Sequence, residues 1–289
     1  MVLASNKKEE TRRELIRPGN GVPTPLRDGI LLREFVSEAC AARGFSTGTA
    51  TISPAAVLPY HTHAFSEAIT LLSGLAQVAV EGRCYQLTLF DCLHVPAGVA
   101  HEVTNCSGES HAVALWAFAS AVPSRELVKE DFVVLDRGFA NPKPSDPESI
   151  VRFTSAEVYE LSPGAHFRDL FAGRFGTVGV CGGYGKFQPG ASLPCHIHQC
   201  DESITIVEGR ATCQVQGNRY QLSGCDTAFV PEGLPHRFIN QSDDPMAMIW
   251  VYASTEPERT LVEAAYCDGT LAWPGPSLAV GSGGKDEIA

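Results

Sequence analysis

The sequence predicts an all-β fold assembled from two tandem copies of one sandwich or barrel. The first observation behind this is punctuation. There are 27 glycines and 19 prolines in 289 residues, with few helix-period patterns, which favours many short strands joined by tight turns. The second is an internal repeat. LPYHTHAFSEAITLLSG at 58–74 returns as LPCHIHQCDESITIVEG at 193–209, an offset of 135 residues. The register runs without a gap from His61/His196 through Asn105/Asn240, and 18 of those 45 aligned positions are identical. Duplication explains this far better than chance. The third is that strand signals within each copy are short and evenly spaced.

Taken in order, EAITLLS and ESITIVE are predicted strands, each ended by a glycine, Gly74 or Gly209. AQVAVEGRCYQLT and ATCQVQGNRYQLS read as hairpins turning at Glu81-Gly82 and Gln216-Gly217. LHVPAGVAHEVTN and AFVPEGLPHRFIN read as paired short strands broken by a Pro-x-Gly turn. One deleted residue later, Trp116 meets Trp250 and Arg125 meets Arg259. Upstream, Arg33-Glu34 meets Arg168-Asp169, which reads as a salt bridge repeated in both copies. The boundaries that follow are an N-terminal extension (1–27), a first domain (28–118) and a polar, proline-rich connector (119–165). A second domain (166–266) and a flexible tail (267–289) complete the chain.

With 44% hydrophobic and 19% charged residues, the chain can bury a sizeable core. A net charge of −11 and no basic stripe argue against nucleic acid or an anionic membrane surface as partner. No run of 18 apolar residues occurs, and the N-terminus is charged without an apolar centre. A cytoplasmic location is the expectation. The ten cysteines are scattered with no CxxC pair, so most are expected to be reduced, small buried hydrophobes. Cys195 and Cys200 flank the second histidine pair and are read as structural.

Six of nine histidines sit at repeat-equivalent positions: His61, His63 and His101, then His196, His198 and His236. Residues two apart on a strand share a face, so each pair can aim two imidazoles into one place. Glu67 and Glu202 follow at even spacing and join that face if no bulge intervenes. Three imidazoles and a carboxylate suit a divalent transition metal. The rest of that face is apolar, with Ile69, Leu71 and Val103 in one copy and Ile204, Ile206 and Phe238 in the other. A carboxylate there needs a partner or a cation. A lone histidine is more often a satisfied core residue; the same four residues twice in register point to two metal sites.

These residues resemble the cupin superfamily, whose motifs are G-x5-H-x-H-x3,4-E-x6-G and G-x5-P-x-G-x2-H-x3-N. Gly190, His196, His198, Glu202 and Gly209 match the first in full; the first copy has Ala55 in place of the leading glycine. The second motif occurs twice, as Pro96, Gly98, His101, Asn105 and as Pro231, Gly233, His236, Asn240, with Phe90 and Cys225 at its leading glycine. The resemblance covers nearly all of residues 30–266. It implies two jelly-roll barrels with one metal each, Mn or Fe favoured over Ni, Zn, Cu or Co, and dimers paired through edge strands.

Function is less constrained, because this fold hosts many chemistries. Three histidines and a glutamate leave coordination positions open, as a catalytic metal needs. No arginine appears on the ligand face of the motif strands, which argues against a small dicarboxylate such as oxalate. The leading expectation is a dioxygenase-like oxidoreductase acting on a small, apolar or enolisable, metal-chelating substrate. Glu67 and Glu202 would serve as ligand or base. A non-redox lyase, isomerase or decarboxylase is the alternative, followed by a non-enzymatic binding or sensor protein.

Overall fold

A computed structural model describes residues 15–276 and the backbone of 285–286. The expected loose ends at 1–14, 277–284 and 287–289 lie outside the described residues. Each half is a pair of facing sheets, one of seven strands and one of six, antiparallel except where Leu135–Gly138 pairs parallel with Arg83–Leu87. Two of the three apolar clusters fill the barrel interiors: one around Ile52, Leu71, Val78 and Leu87, the other around Phe187, Ile206, Val215 and Phe238. The third lies between the barrels, where Phe35, Phe45 and Leu115 meet Phe171, Phe229 and Ile249. The two halves thus share an apolar core, which accounts for the hydrophobic runs on the outward faces of the larger sheets.

The hairpins turn where expected. Ala76–Val80 pairs with Arg83–Leu87, and Arg210–Val215 with Asn218–Ser223. Both central residues of each turn have positive φ: Glu81 and Gln216 at 45°, Gly82 at 88° and Gly217 at 81°. That is the mirror-image turn whose twist suits paired strands. Ala55, Phe90 and Cys225 also have positive φ, at 57°, 62° and 68°. The family's glycine turns therefore persist in this chain without glycine.

The segments outside the barrels are not loose linkers. Ile16–Arg17, from the expected N-terminal extension, pairs with Thr227 and Ala228 of the second barrel. Ser149–Val151, from the expected connector, pairs with Cys92–Val95 of the first. Each half thus donates an edge strand to the other. Repeat-equivalent contacts fasten both arms. Gly19 N donates to Asp226 Oδ1 (2.8 Å), and Phe153 N to Asp91 Oδ1 (2.9 Å). Gly19 lies so close that a Cβ there would stand 2.2 Å from Gly224 O. Arg33 Nε donates to Gly21 O (2.7 Å) and Arg168 Nη1 to Ala156 O (2.6 Å). The expected Arg33–Glu34 and Arg168–Asp169 salt bridges do not form, because strand neighbours point to opposite faces. Their carboxylates face the cavities instead: Glu34 accepts from Ser37 Oγ, and Asp169 pairs with Arg174.

The C-terminal boundary also shifts. A short helix, Ala264–Asp268, crosses the expected limit at 266/267, and Cys267 is buried in a disulfide with Cys195. Lys285–Asp286 pairs with Arg259 and Thr260. Eight cysteines are free, as expected for most of the ten; Cys195 is the exception among those singled out.

Candidate metal centres

In each barrel the chain passes between sheets to assemble one cluster. His61 lies on Val57–Thr62 of the six-stranded sheet, directly opposite His101. Glu67 opens Glu67–Ser73 of the facing sheet. The strand breaks at residues 63–66, with His63 just past its end, so histidines and glutamate converge from two sheets and not along one strand. The even spacing reached the right partner through the wrong geometry. In the second copy His196–His198 pairs with the His236 strand, and Glu202 again opens the facing strand.

All eight side chains are buried. The ligand atoms of His61, His63, Glu67 and His101 lie within 4.8 Å of one another, as do those of His196, His198 and His236. Glu67 Oε2 stands 3.1 Å from His63 Nε2 and 2.8 Å from His101 Nε2. Glu202 Oε2 stands 3.7 Å from His198 Nε2 and 2.9 Å from His236 Nε2.

Six backbone carbonyls orient the rings. His61 Nδ1 donates to Pro59 O (2.8 Å), His101 Nδ1 to Val99 O (3.2 Å), and His63 Nδ1 to Ser124 O. His196, His198 and His236 donate to Pro194 O, Glu258 O and Leu234 O at 2.8, 2.8 and 2.9 Å. With Nδ1 turned to a carbonyl, every Nε2 faces the cluster, where His101 Nε2 meets the Glu67 carboxylate at 2.8 Å. Burial, then His101, pushes His61 down to about 3. Burial pushes His198 down to about 4 and His196 well below the usual range. Burial raises the Glu67 carboxyl, but His101 and His63 outweigh it and hold it well below the usual carboxylate range. Burial and His236 oppose each other in the same way at Glu202, with a net lowering. Burial lowers His63 as well, but the ionised Glu67 outweighs it and holds that ring above the usual imidazole range. Three imidazoles beside an ionised carboxylate are a ligand set suited to a cation.

The fit to an ion is supported by orphaned polar atoms. His63 Nε2, His236 Nε2 and Glu202 Oε2 are buried and have no aligned hydrogen bond among the described residues. Buried groups of this kind are normally satisfied. A divalent transition metal would satisfy all three.

Sequence reasoning missed the arginines. Arg125 lines a cavity of about 260 Å³ beside His61, His63 and Glu67, and its Nη1 is buried without a hydrogen-bond partner among the described residues. Arg259 lines a cavity of about 620 Å³ beside His196, Glu202 and His236, and its Nε is likewise unpartnered. Each follows the residue whose carbonyl orients a ligand histidine, Ser124 or Glu258. The repeat identity Arg125/Arg259 was the available signal. Each cavity therefore holds a guanidinium that can meet a small carboxylate, contrary to the expectation from the motif strands. Trp116 and Trp250 wall these cavities as well.

The walls differ. In the first centre Phe65 stacks on His63 at 5.2 Å, and Phe118 lies 4.7 Å from the same ring. Cys200 and Tyr252 replace them in the second, where Tyr252 Oη lies 3.2 Å from His198 Nε2. Of the unpaired histidines, His94 is buried, while His111 is exposed and His166 lies 3.8 Å from Glu160.

Among known proteins, the family model for the cupin domain matches residues 48–118 and 183–252, one match per barrel. No curated protein matches the sequence. The fold is similar to an oxalate decarboxylase–formate complex from Lactobacillus farciminis, with TM-score 0.68 and 16% identity over 83% of this chain and 86% of that one. It is also similar to oxalate decarboxylase from Bacillus subtilis, with TM-score 0.66 and 16% identity over 83% of this chain and 76% of that one. Identity at that level speaks for architecture alone. Two cupin-domain matches, one on each of two interlocked barrels that carry the same buried histidine–glutamate cluster, place the chain in the cupin superfamily as a bicupin.

Proposed function

We propose that this bicupin is a metal-dependent enzyme acting on a small carboxylic acid, with a lyase or decarboxylase reaction leading. In this reading His61, His63, Glu67 and His101 hold one divalent ion, and His196, His198, Glu202 and His236 a second, Mn or Fe being favoured. The observation that carries it is an incompletely bonded guanidinium in each cavity, Arg125 with its Nη1 buried and Arg259 buried as a whole. A guanidinium grips a carboxylate through two parallel hydrogen bonds. Bound in the cluster, the ion would supply Lewis acidity toward a substrate oxygen.

The chain's own groups do the rest. Arg125 or Arg259 orients the acid toward the histidine cluster. Ile69, Val103 and Trp116, or Ile204, Phe238 and Trp250, exclude water and strengthen that ion pair. Glu67 and Glu202, held ionised, can accept a proton but have none to donate. The same apolar walls favour one second reading, a dioxygenase-like reaction on an enolisable chelating substrate.

Elemental analysis of the purified protein, followed by incubation with small mono- and dicarboxylates including oxalate, tests the proposal. CO2 release without matching O2 uptake is expected. Stoichiometric O2 uptake would move the assignment to a dioxygenase. Ligand-dependent stabilisation without turnover would make it a binding protein. Among the described residues no helix is long and apolar enough to cross a membrane. The Cys195–Cys267 bridge favours an oxidising compartment over the expected cytoplasmic location.

A further inference from the structure

We infer that Tyr252 is an additional ligand of the second centre, giving that barrel a set of three imidazoles, one carboxylate and one phenol. The inference rests on the reading that His196, His198, Glu202 and His236 bind a metal.

Strand register puts the phenol there. Tyr252 lies directly opposite Glu202 across the antiparallel pair, so both side chains point into the barrel. The residue opposite Glu67 is Phe118, which has no donor atom. Tyr252 Oη stands 3.2 Å from His198 Nε2. Two ligands at right angles on one ion, each about 2.1 Å from it, are separated by about 3 Å. The hydroxyl therefore already has the spacing of a neighbouring ligand.

The glutamate responds to it. Glu67 approaches its second histidine, His63, to 3.1 Å, whereas Glu202 stays 3.7 Å from His198. The tight grouping of ligand atoms accordingly includes Glu67 in the first barrel and only the three histidines in the second. The Tyr252 hydroxyl takes the His198 side of the cluster that the glutamate takes in the first barrel. His198 Nδ1 donates to Glu258 O, so Nε2 offers only a lone pair, and the hydroxyl donates to it. The hydroxyl also hydrogen-bonds Glu202, so an ion held by His198 and Glu202 together would claim both of its acceptors. The phenol oxygen would then turn to the ion and give up its proton to bulk water.

The probe is iron. Protein with His63→Ala, which disables the first centre, is loaded with Fe(II) and oxidised in air to Fe(III). A phenolate bound to Fe(III) gives a visible charge-transfer band that imidazole and carboxylate ligands lack. The expected result is about one iron per chain with that band. Adding Tyr252→Phe should retain the iron and remove the band; Phe118 at the equivalent place shows that the barrel accepts phenylalanine. One iron per chain without the band overturns the inference, as does a band that survives Tyr252→Phe. A His63→Ala protein that holds no iron overturns the metal reading of the second centre and this inference with it, and is told apart by metal content alone.

Discussion

The two centres share their ligands and differ in their walls. Each cluster locks three imidazole Nδ1 atoms onto carbonyls, and each sets an arginine beside the glutamate. Around the first lie Phe65 and Phe118 and a cavity of about 260 Å³; around the second, Cys200, Tyr252 and about 620 Å³. Backbone register decides where the donors converge, so it is the same in both. The residues facing those donors across the strands are under no such constraint. A larger, more polar pocket points to a different ligand or a different task in the second barrel.

The largest effect should come from removing one ligand per barrel. His63→Ala and His198→Ala should each lower metal content by about one ion per chain. A Lewis acid is worth several kcal/mol, so the barrel that carries turnover should lose activity at least about a thousandfold. Equal losses from both variants would mean that the barrels work together, and would break the division drawn above.

Next comes the asymmetric disulfide. Cys195–Cys267 closes a 72-residue separation in the second half alone. Chain entropy puts such a cross-link at about 4 kcal/mol. Cys267→Ser should lower the denaturation midpoint of the second barrel, measured by equilibrium unfolding, with the first-centre cavity unaffected in ligand binding. Reductant should reproduce the shift in wild type and add nothing in the variant.

An acid-sensitive difference follows from His94, where the second barrel has Phe229. Burial pushes His94 down to about 4, and its Nε2 has no hydrogen-bond partner among the described residues. The folded state keeps the ring neutral, so the unfolded chain takes up the proton first. Stability from this group is complete above pH ~6.5 and drains away as pH falls toward 4, by about 3 kcal/mol in total. His94→Phe should be near neutral at pH 7 and flatten the loss between pH 6.5 and 4, read from urea midpoints.

The smallest effect sharpens the substrate assignment. Arg125→Ala and Arg259→Ala each remove a charge-assisted contact worth about 2 kcal/mol, or roughly a thirtyfold rise in KM. The rise should appear in one variant only if one barrel turns over. A carboxylic acid substrate that feels neither change would remove the basis of the proposed function.

The ligands were legible because a motif repeated in register cannot be dismissed as core histidines. The arginines were not, although Arg125 and Arg259 had already been aligned. They sit beyond a one-residue deletion, Arg125 just before a strand of two residues and Arg259 opening one of three, both too short to carry periodicity. The exchanged arms were invisible for the same reason: Ile16–Arg17 is too short to show alternation. Pairwise identity held more than was taken from it. Asp91/Asp226 and Arg33/Arg168 proved to be the clasps of those arms. The Cys195–Cys267 bridge lacked any local spacing signal, and only the fold brings its ends together.

Strand exchange also sets a timetable for synthesis. Ile16–Arg17 leaves the ribosome early, yet its partners Thr227 and Ala228 lie about 210 residues further along the chain. At 5–20 residues per second, that edge waits roughly 10–40 s for its mate. During the wait the first barrel must also await Ser149–Val151 to cover its own edge. The nascent chain is thus obliged to carry open strand edges until the second barrel has been made, and a pause ahead of Thr227 would prolong its exposure to mispairing.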